Sequence, residues 1–429
     1  MEQMLERCAG LDVHKKTVMA CVLRPGKRSK AHKEFRRFGT MTRDILELAD
    51  WLSQRGVVHV AMESTGVFWK PIYNILEGSF ELMLCNARHI KQVPGRKTDV
   101  SDSEWIAQLL QHGLLQGSFV PPRPMRELRE LTRHRATLTD EKTRVGNRIH
   151  KILEDSNIKL GSVASDVLGV SGRAIIRAII NGEDDPGTLA ELSRRRLRGK
   201  IPELRTALQG HVTDHHRFML ESLMDHLTFL EGKIESLSAR IETTMDSISQ
   251  KPSPGEGEEF PPLPFRDAVQ LLKDIPGVQQ ITAENVLAEI GTDMSQFPSS
   301  GNLASWSGIC PGNDESAGKR RKGKTTKGNR WLRRALNQAA WAASHTRGTY
   351  FSTQYRRIAS RRGKKRAIVA VAHSLLVTIY HMIRDQTIYA DLGADHFDRL
   401  DPDRLTLYYL KRLKSLGHKV TLESESDVA

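Results

Sequence analysis

The first 120 residues switch hydrophobic period repeatedly, and acidic residues stand at several of the switches. Short apolar runs that read as strands (CAGLDV, TVMACVL, VVHVAME) alternate with amphipathic stretches that read as helices (TRDILELADWLSQRG, VFWKPIYNILEG). Asp12 lies in the first run, just before a hairpin at His14-Lys15-Lys16, and Glu63 ends VVHVAME ahead of a Ser-Thr-Gly turn. Asp99 and Asp102 open a helix, KTDVSDSEWIAQLLQHG. At about 100° per residue Asp99, Asp102, Ile106, Leu109 and Leu110 share one face, which predicts carboxylates pointed inward. Gathered acids repel and lose hydration, so Asp12, Glu63, Asp99 and Asp102 predict a bound cation. An all-oxygen ligand set selects Mg²⁺, with Mn²⁺ as a surrogate. His14 shares a strand face with Asp12 and reads as a structural histidine, with a phosphate contact as the alternative.

Three antiparallel strands followed by alternating helices and strands is the order of an RNase H-like, or RuvC-like, layer structure. The expected class is therefore α/β at the N-terminus (residues 1–120), with a mainly α-helical remainder. PPRPMREL marks a boundary. Residues 121–248 read as a helical, coiled-coil spacer: Leu220, Leu223, Leu227, Leu230, Ile234, Leu237 and Ile241 follow a 3-4 spacing, continued by Met245 and Ile248. That seam suits either a hairpin with the earlier helix or pairing with a second copy. Residues 249–264 have the composition of a linker, 265–390 form a compact C-terminal domain, and 391–429 form a tail.

The formal charge of +14 is concentrated in one region. Ser316 through Arg384 hold 18 Lys or Arg and no acid, which leaves 47 basic against 51 acidic residues elsewhere. A localised basic field is the footprint of a polyanion. The four cysteines have no zinc spacing. No apolar run approaches about 18 residues, and the start leads directly into a strand, so a cytoplasmic protein is expected.

In the C-terminal domain, LLKDIPGVQQITAENVLAEIG resembles a helix-hairpin-helix. Its Gln279-Gln280 replace a second glycine, which favours a structural hairpin over a phosphate clamp. After it comes PGNDESAGKRRKGKTTKGN, where Ser316 precedes Lys319, Arg320, Arg321, Lys322, Lys324 and Lys327, followed by Arg330, Arg333 and Arg334 on a helix. Gly312, Gly318, Gly323 and Gly328 permit close backbone approach. A serine among cations suits attack on a phosphodiester, and the cations suit binding of nucleic-acid backbone. Ser307, Thr325 and Thr326 are rival hydroxyls.

Taken in order, GLDVHK, MESTG, the KTDVSD helix, the IPGV hairpin and the serine loop make the chain similar to transposases of the insertion-sequence-110 family. The resemblance spans most of residues 8–385. It implies a RuvC-like DEDD domain, a coiled coil and a C-terminal transposase domain. It also implies Mg²⁺-assisted strand cleavage and exchange through a phosphoserine at Ser316, with Asp12, Glu63, Asp99 and Asp102 as the acids. Implied partners are donor and target DNA, a structured bridge RNA, and further copies of the chain in a dimer or tetramer. The competing readings are a water-using RuvC-type nuclease, a ribonuclease acting on hybrids, and a nucleic-acid-binding scaffold with structural acids.

Overall fold

The computed structural model describes residues 4–26, 32–64, 66–86, 90, 102–249, 262–310, 315–316, 319–320, 325 and 328–422. They fall in two compact units, Met1–Pro122 and Arg123–Ala429.

The first unit is a five-stranded mixed sheet covered on both faces. Strands β1 (Cys8–Val13), β2 (Thr17–Arg24) and β3 (His32–Gly39) form an antiparallel meander. Strands β4 (His59–Glu63) and β5 (Glu81–Cys85) run parallel to β1, giving the order β3-β2-β1-β4-β5. This arrangement is consistent with the RNase H-like layer expected from the sequence. The predicted hairpin forms, with His14 N–H donating to Thr17 O at 2.9 Å.

Because side chains alternate across a strand, each face has its own core. Ala9, Leu11, Val60 and Met62 pack beneath helices α1 (Thr42–Ser53) and α2 (Trp69–Leu76). Cys8, Cys21, Ala61 and Cys85 pack beneath α3 (Asp102–Gln111). The apolar side of α1 is made by Ile45, Leu48, Trp51 and Leu52. Leu46, apolar in the same run, is nevertheless 51% exposed. It stands one residue out of phase with the buried stripe.

The second unit is helical. Helix α4 (Arg123–Asp155) leads into α5 (Leu160–Val163), α6 (Val170–Ile180), α7 (Pro186–Glu191), a 3₁₀ turn (Arg195–Lys200) and α8 (Ile201–Ala207); α9 (Asp214–Ser249) then returns along α4. The heptad stripe is used inside the chain. Leu220, Leu223, Leu227 and Leu230 meet Val145, Ile149 and Leu153 at one end of an antiparallel hairpin. Ile241 joins Met125 and Leu128 at the other. Between the ends the stripe turns polar: Ile234 and Leu237 are only half-buried, and the buried Arg135 contacts Ser238 at 3.4 Å.

The C-terminal core comprises α10 (Phe265–Lys273), α11 (Gln280–Ile290), α12 (Ser300–Ser307), α13 (Arg330–His345), α14 (Tyr350–Arg362) and α15 (Lys364–Asp385). Helices α16 (His396–Arg399) and α17 (Pro402–Ser415) follow. Helix α15 is long and apolar enough to cross a membrane by composition. Here Val371, Leu375, Leu376, Ile379 and Tyr380 are buried at the centre of the helical core.

Candidate functional site

Asp12 and Glu63 acquire their positions from backbone register. Leu11 and Met62 are paired across the parallel β1–β4 ladder, and each acid is the next residue on its strand. Leu11 and Met62 belong to the α1/α2 face, so alternation sends Asp12 and Glu63 to the α3 face, at the same end of the sheet. Helix α3 lies on that face at very short range. A Cβ on Gly10 would come within 2.2 Å of Ser103 O and 2.4 Å of Ala107 N. The helix therefore begins directly over β1, and Asp102, its first residue, is brought to the end of the sheet that carries Asp12 and Glu63.

These acids form a rim and are not interior groups as the sequence predicted. Asp102 is exposed, while Asp12 and Glu63 are half-buried. A helix N-terminus is a favourable place for a carboxylate, and the apolar stripe of α3 begins only in the turn beyond Asp102. Asp12 Oδ2 accepts a hydrogen bond from His14 Nε2 at 3.1 Å, so the histidine is tied to the acid. Glu104, also on α3, is paired with Lys33 of β3 and is thereby neutralised. Among the described residues no group of three or more His, Cys, Asp or Glu side chains is arranged to hold a metal ion. Asp99 lies outside the described residues. What fits a hard cation is the donor type and the shared face and end of Asp12, Glu63 and Asp102. The thiols behind them are unsuited to ligation or attack, because burial pushes Cys8 and Cys21 up to about 12 and Cys85 up to about 11.

In the second unit the serine loop has clasped feet. Helix α12 ends at Gly308 in the left-handed conformation, φ 72°. A Cβ on Gly328 would lie 2.2 Å from Gly308 N and from Ser307 C, so the loop returns onto the residues where it left. Between the feet, Glu315–Ser316 and Lys319–Arg320 form a short antiparallel pair in which Ser316 and Lys319 are register partners. Arg321, Lys322, Lys324, Lys327 and Thr326 lie outside the described residues.

The rival hydroxyls fare differently. Ser307 is fully buried and donates to Ala304 O at 2.8 Å, which leaves it inaccessible to a substrate. Thr325 accepts from Arg333 Nη2 at 3.2 Å. Of the arginines predicted on α13, Arg330 is exposed and lies over the Trp331 ring at 4.7 Å. Arg334 forms two hydrogen bonds with Asp140 of α4, one of 2.7 Å, so its guanidinium is already occupied. In the helical hairpin, Gly277 (φ 85°) packs against the α13 backbone, with Ala339 O 2.5 Å from its virtual Cβ. That placement agrees with a structural turn.

Sequence reasoning missed the device that holds the loop's exit. Glu289, 1% exposed, accepts from Arg133 at 2.7 and 2.8 Å and from Asn329 Nδ2 at 2.6 Å. Asn329 is also the N-cap of α13, accepting from Trp331 N and Leu332 N. Arg129 donates to Ala288 O at 2.9 Å and to Glu289 O, covering the last carbonyls of α11. Burial lowers Arg129 to about 10, still charged at neutral pH. The available signal was Asn329 directly after Gly328, an N-cap residue ahead of an amphipathic run.

Comparison with known proteins finds two family matches along the chain, the first running past the boundary between the two units. A transposase model of the DEDD type from insertion sequence IS110 matches residues 9–158. A second model, for transposases of the IS116/IS110/IS902 family, matches residues 269–356. Together they cover more than half of the chain, in the order the motifs predicted. The chain belongs to the IS110 family of transposases. A relative is the uncharacterised 43.6 kDa protein of insertion element IS110 from Streptomyces coelicolor, 26% identical over 314 residues, which are 69% of this chain and 73% of that protein. Family membership makes this a transposase whose substrate is DNA. The first family match contains the acid rim and the second contains the serine loop with the start of α13.

Proposed function

We propose that this transposase cuts and rejoins DNA with Asp12, Glu63, Asp99 and Asp102 as its metal-binding acids and Ser316 as its nucleophile. The observation that carries the reading is the placement of Asp12 and Glu63 at adjacent parallel strand ends, on the face where α3 begins at Asp102. When bound there, Mg²⁺ or Mn²⁺ supplies Lewis-acid polarisation of a phosphate and stabilises charge on the leaving oxygen. The acids hold the ion, and His14 steadies Asp12. Ser316 Oγ attacks phosphorus as its proton passes to water. The bond from phosphorus to the 3′ oxygen breaks, that oxygen is protonated, and a 5′-phosphoserine keeps the bond energy for rejoining. Lys319, Arg320, Arg321, Lys322, Lys324, Lys327, Arg330 and Arg333 neutralise phosphates near the serine. A bridge RNA selects target and donor; this part of the reading rests on the family resemblance and on the basic stretch.

The test is trapping. Full-length protein incubated with duplex DNA carrying the element's end and Mg²⁺, then denatured, should retain DNA on the wild type and none on Ser316→Ala. Cleavage that survives this substitution without an adduct rejects the serine and favours attack by water. Asp12→Asn should lower cleavage on the order of 10³-fold with DNA binding intact; equal loss of binding would make the acid structural. If a transcript of the flanking non-coding segment leaves target choice unchanged, RNA guidance fails.

A further inference from the structure

Residues 159–268 lie between the two family matches, and the small helical lobe within them carries a basic cleft of its own. The cleft, about 910 Å³, is lined by Ser165, Asp166, the Gly169–Ser171 start of α6, Arg194, Arg195, Arg196 and Lys200. We propose that this cleft is a second DNA-backbone site, separate from the serine loop, which anchors duplex flanking the cut.

Four observations meet there. Arg194, Arg195 and Arg196 are exposed, and among the described residues their side chains form no ion pair or hydrogen bond. Their neighbours differ: Arg198 and Arg205 are both spent on Glu191. The run is fixed to the helix start, because Arg194 N–H donates to Ser171 Oγ at 2.9 Å. Arg195 then takes a left-handed backbone, φ 52°, which turns the run at its centre. Helix α6 begins at Gly169 with no side chain capping its first N–H groups, so the positive end of an 11-residue helix faces the same cleft as the arginines. The one acid in the lining, Asp166, already accepts from Leu168 N at 3.1 Å.

The occupant follows from charge and reach. The cleft is much larger than one phosphate, and three unspent guanidiniums suit successive phosphates on a strand. The lobe sits at the far end of the α4–α9 hairpin from the C-terminal core; from Leu128 to Leu153 the helix rises roughly 40 Å. That span equals about 12 base pairs of duplex at 3.4 Å each. A ligand touching both ends must be long and stiff, as duplex DNA is over this distance. The proposal rests on DNA being the substrate and is independent of which group attacks phosphorus.

The test uses full-length Ser316→Ala protein in EDTA, so that DNA stays uncut whether serine or metal-activated water is the nucleophile, and a duplex of roughly 40 base pairs. At about 150 mM salt, Arg194→Ala/Arg195→Ala/Arg196→Ala should bind about tenfold more weakly, and its slope of log affinity against log salt should shrink by about 2 to 3. The triple Lys variant should restore both, and Arg196→Ala alone should shrink the slope by about one. An unchanged affinity and slope overturns the proposal. So does a loss confined to duplex RNA of equal length, or a failure of the Lys variant to rescue, which would make the run structural.

Discussion

In the N-terminal unit, Asp12 and Glu63 take their places from strand register and from a helix pressed on Gly10. In the helical unit, the feet of the serine loop are tied partly by a buried carboxylate, Glu289, and the cations around it. The first arrangement depends on shape and is insensitive to the loss of any one charge. The second depends on charges withdrawn from water, where removing one partner strands the others. The contrast says where each half is fragile: to an added methyl group in one, to a deleted carboxylate in the other.

Glu289→Ala attacks that contrast most directly. It leaves Arg133 and Asn329 without their common acceptor and Arg129 without its ion-pair partner at 3.7 Å, and should destabilise the helical unit by about 3–5 kcal/mol, read from denaturant unfolding; a loss below about 1 kcal/mol would remove the hub from the account. Next comes Gly10→Ala, whose methyl group meets the Ser103 and Ala107 backbone. It should cost the sheet unit about 3 kcal/mol by thermal unfolding, while the helical unit melts unchanged. A third change sharpens the charge side of the comparison through pH. Glu231 accepts from Arg173 at 2.6 and 2.8 Å, and that pairing holds its carboxyl at about 2, below the ordinary value of 4.5. The stabilisation is present above about pH 4.5 and lost as pH falls toward 2. Glu231→Gln should therefore be less stable than wild type by about 2 kcal/mol at neutral pH, with the gap closing across that acid window. The smallest effect is expected from Asn329→Ala, about 1 kcal/mol for the lost cap. Strand exchange should fall more than that stability change accounts for, because the loop's exit is freed.

The order of strands and helices in the first 120 residues was legible because each element is short, periodic and bounded by turn residues. The strand limits around Asp12 and Glu63 followed from the same pattern. The exposure of Asp102 was not legible, since a helical wheel assigns a face without saying where the sheet beneath it stops. Nor was the Arg129–Arg133–Glu289 cluster. Read along the sequence, arginines on α4 look like a solvated surface, and only the approach of α11 and α13, more than 150 residues away, withdraws them from water. The heptad stripe left its partner open because periodicity identifies an apolar seam without naming the surface it meets; the return of α9 along α4 decided that.

The contact of Gly328 with Ser307 and Gly308 has an evolutionary corollary. A segment whose two ends are stapled together behaves toward its surroundings as a cassette: what lies between the staples can lengthen, shorten or change composition without disturbing the helices beneath. Polymer statistics make such drift inexpensive, with a doubling of length costing only about 0.6 kcal/mol. With Ser316 and its flanking cations retained, the rest of the stretch is thus free to vary in length while the supporting helices stay unaltered.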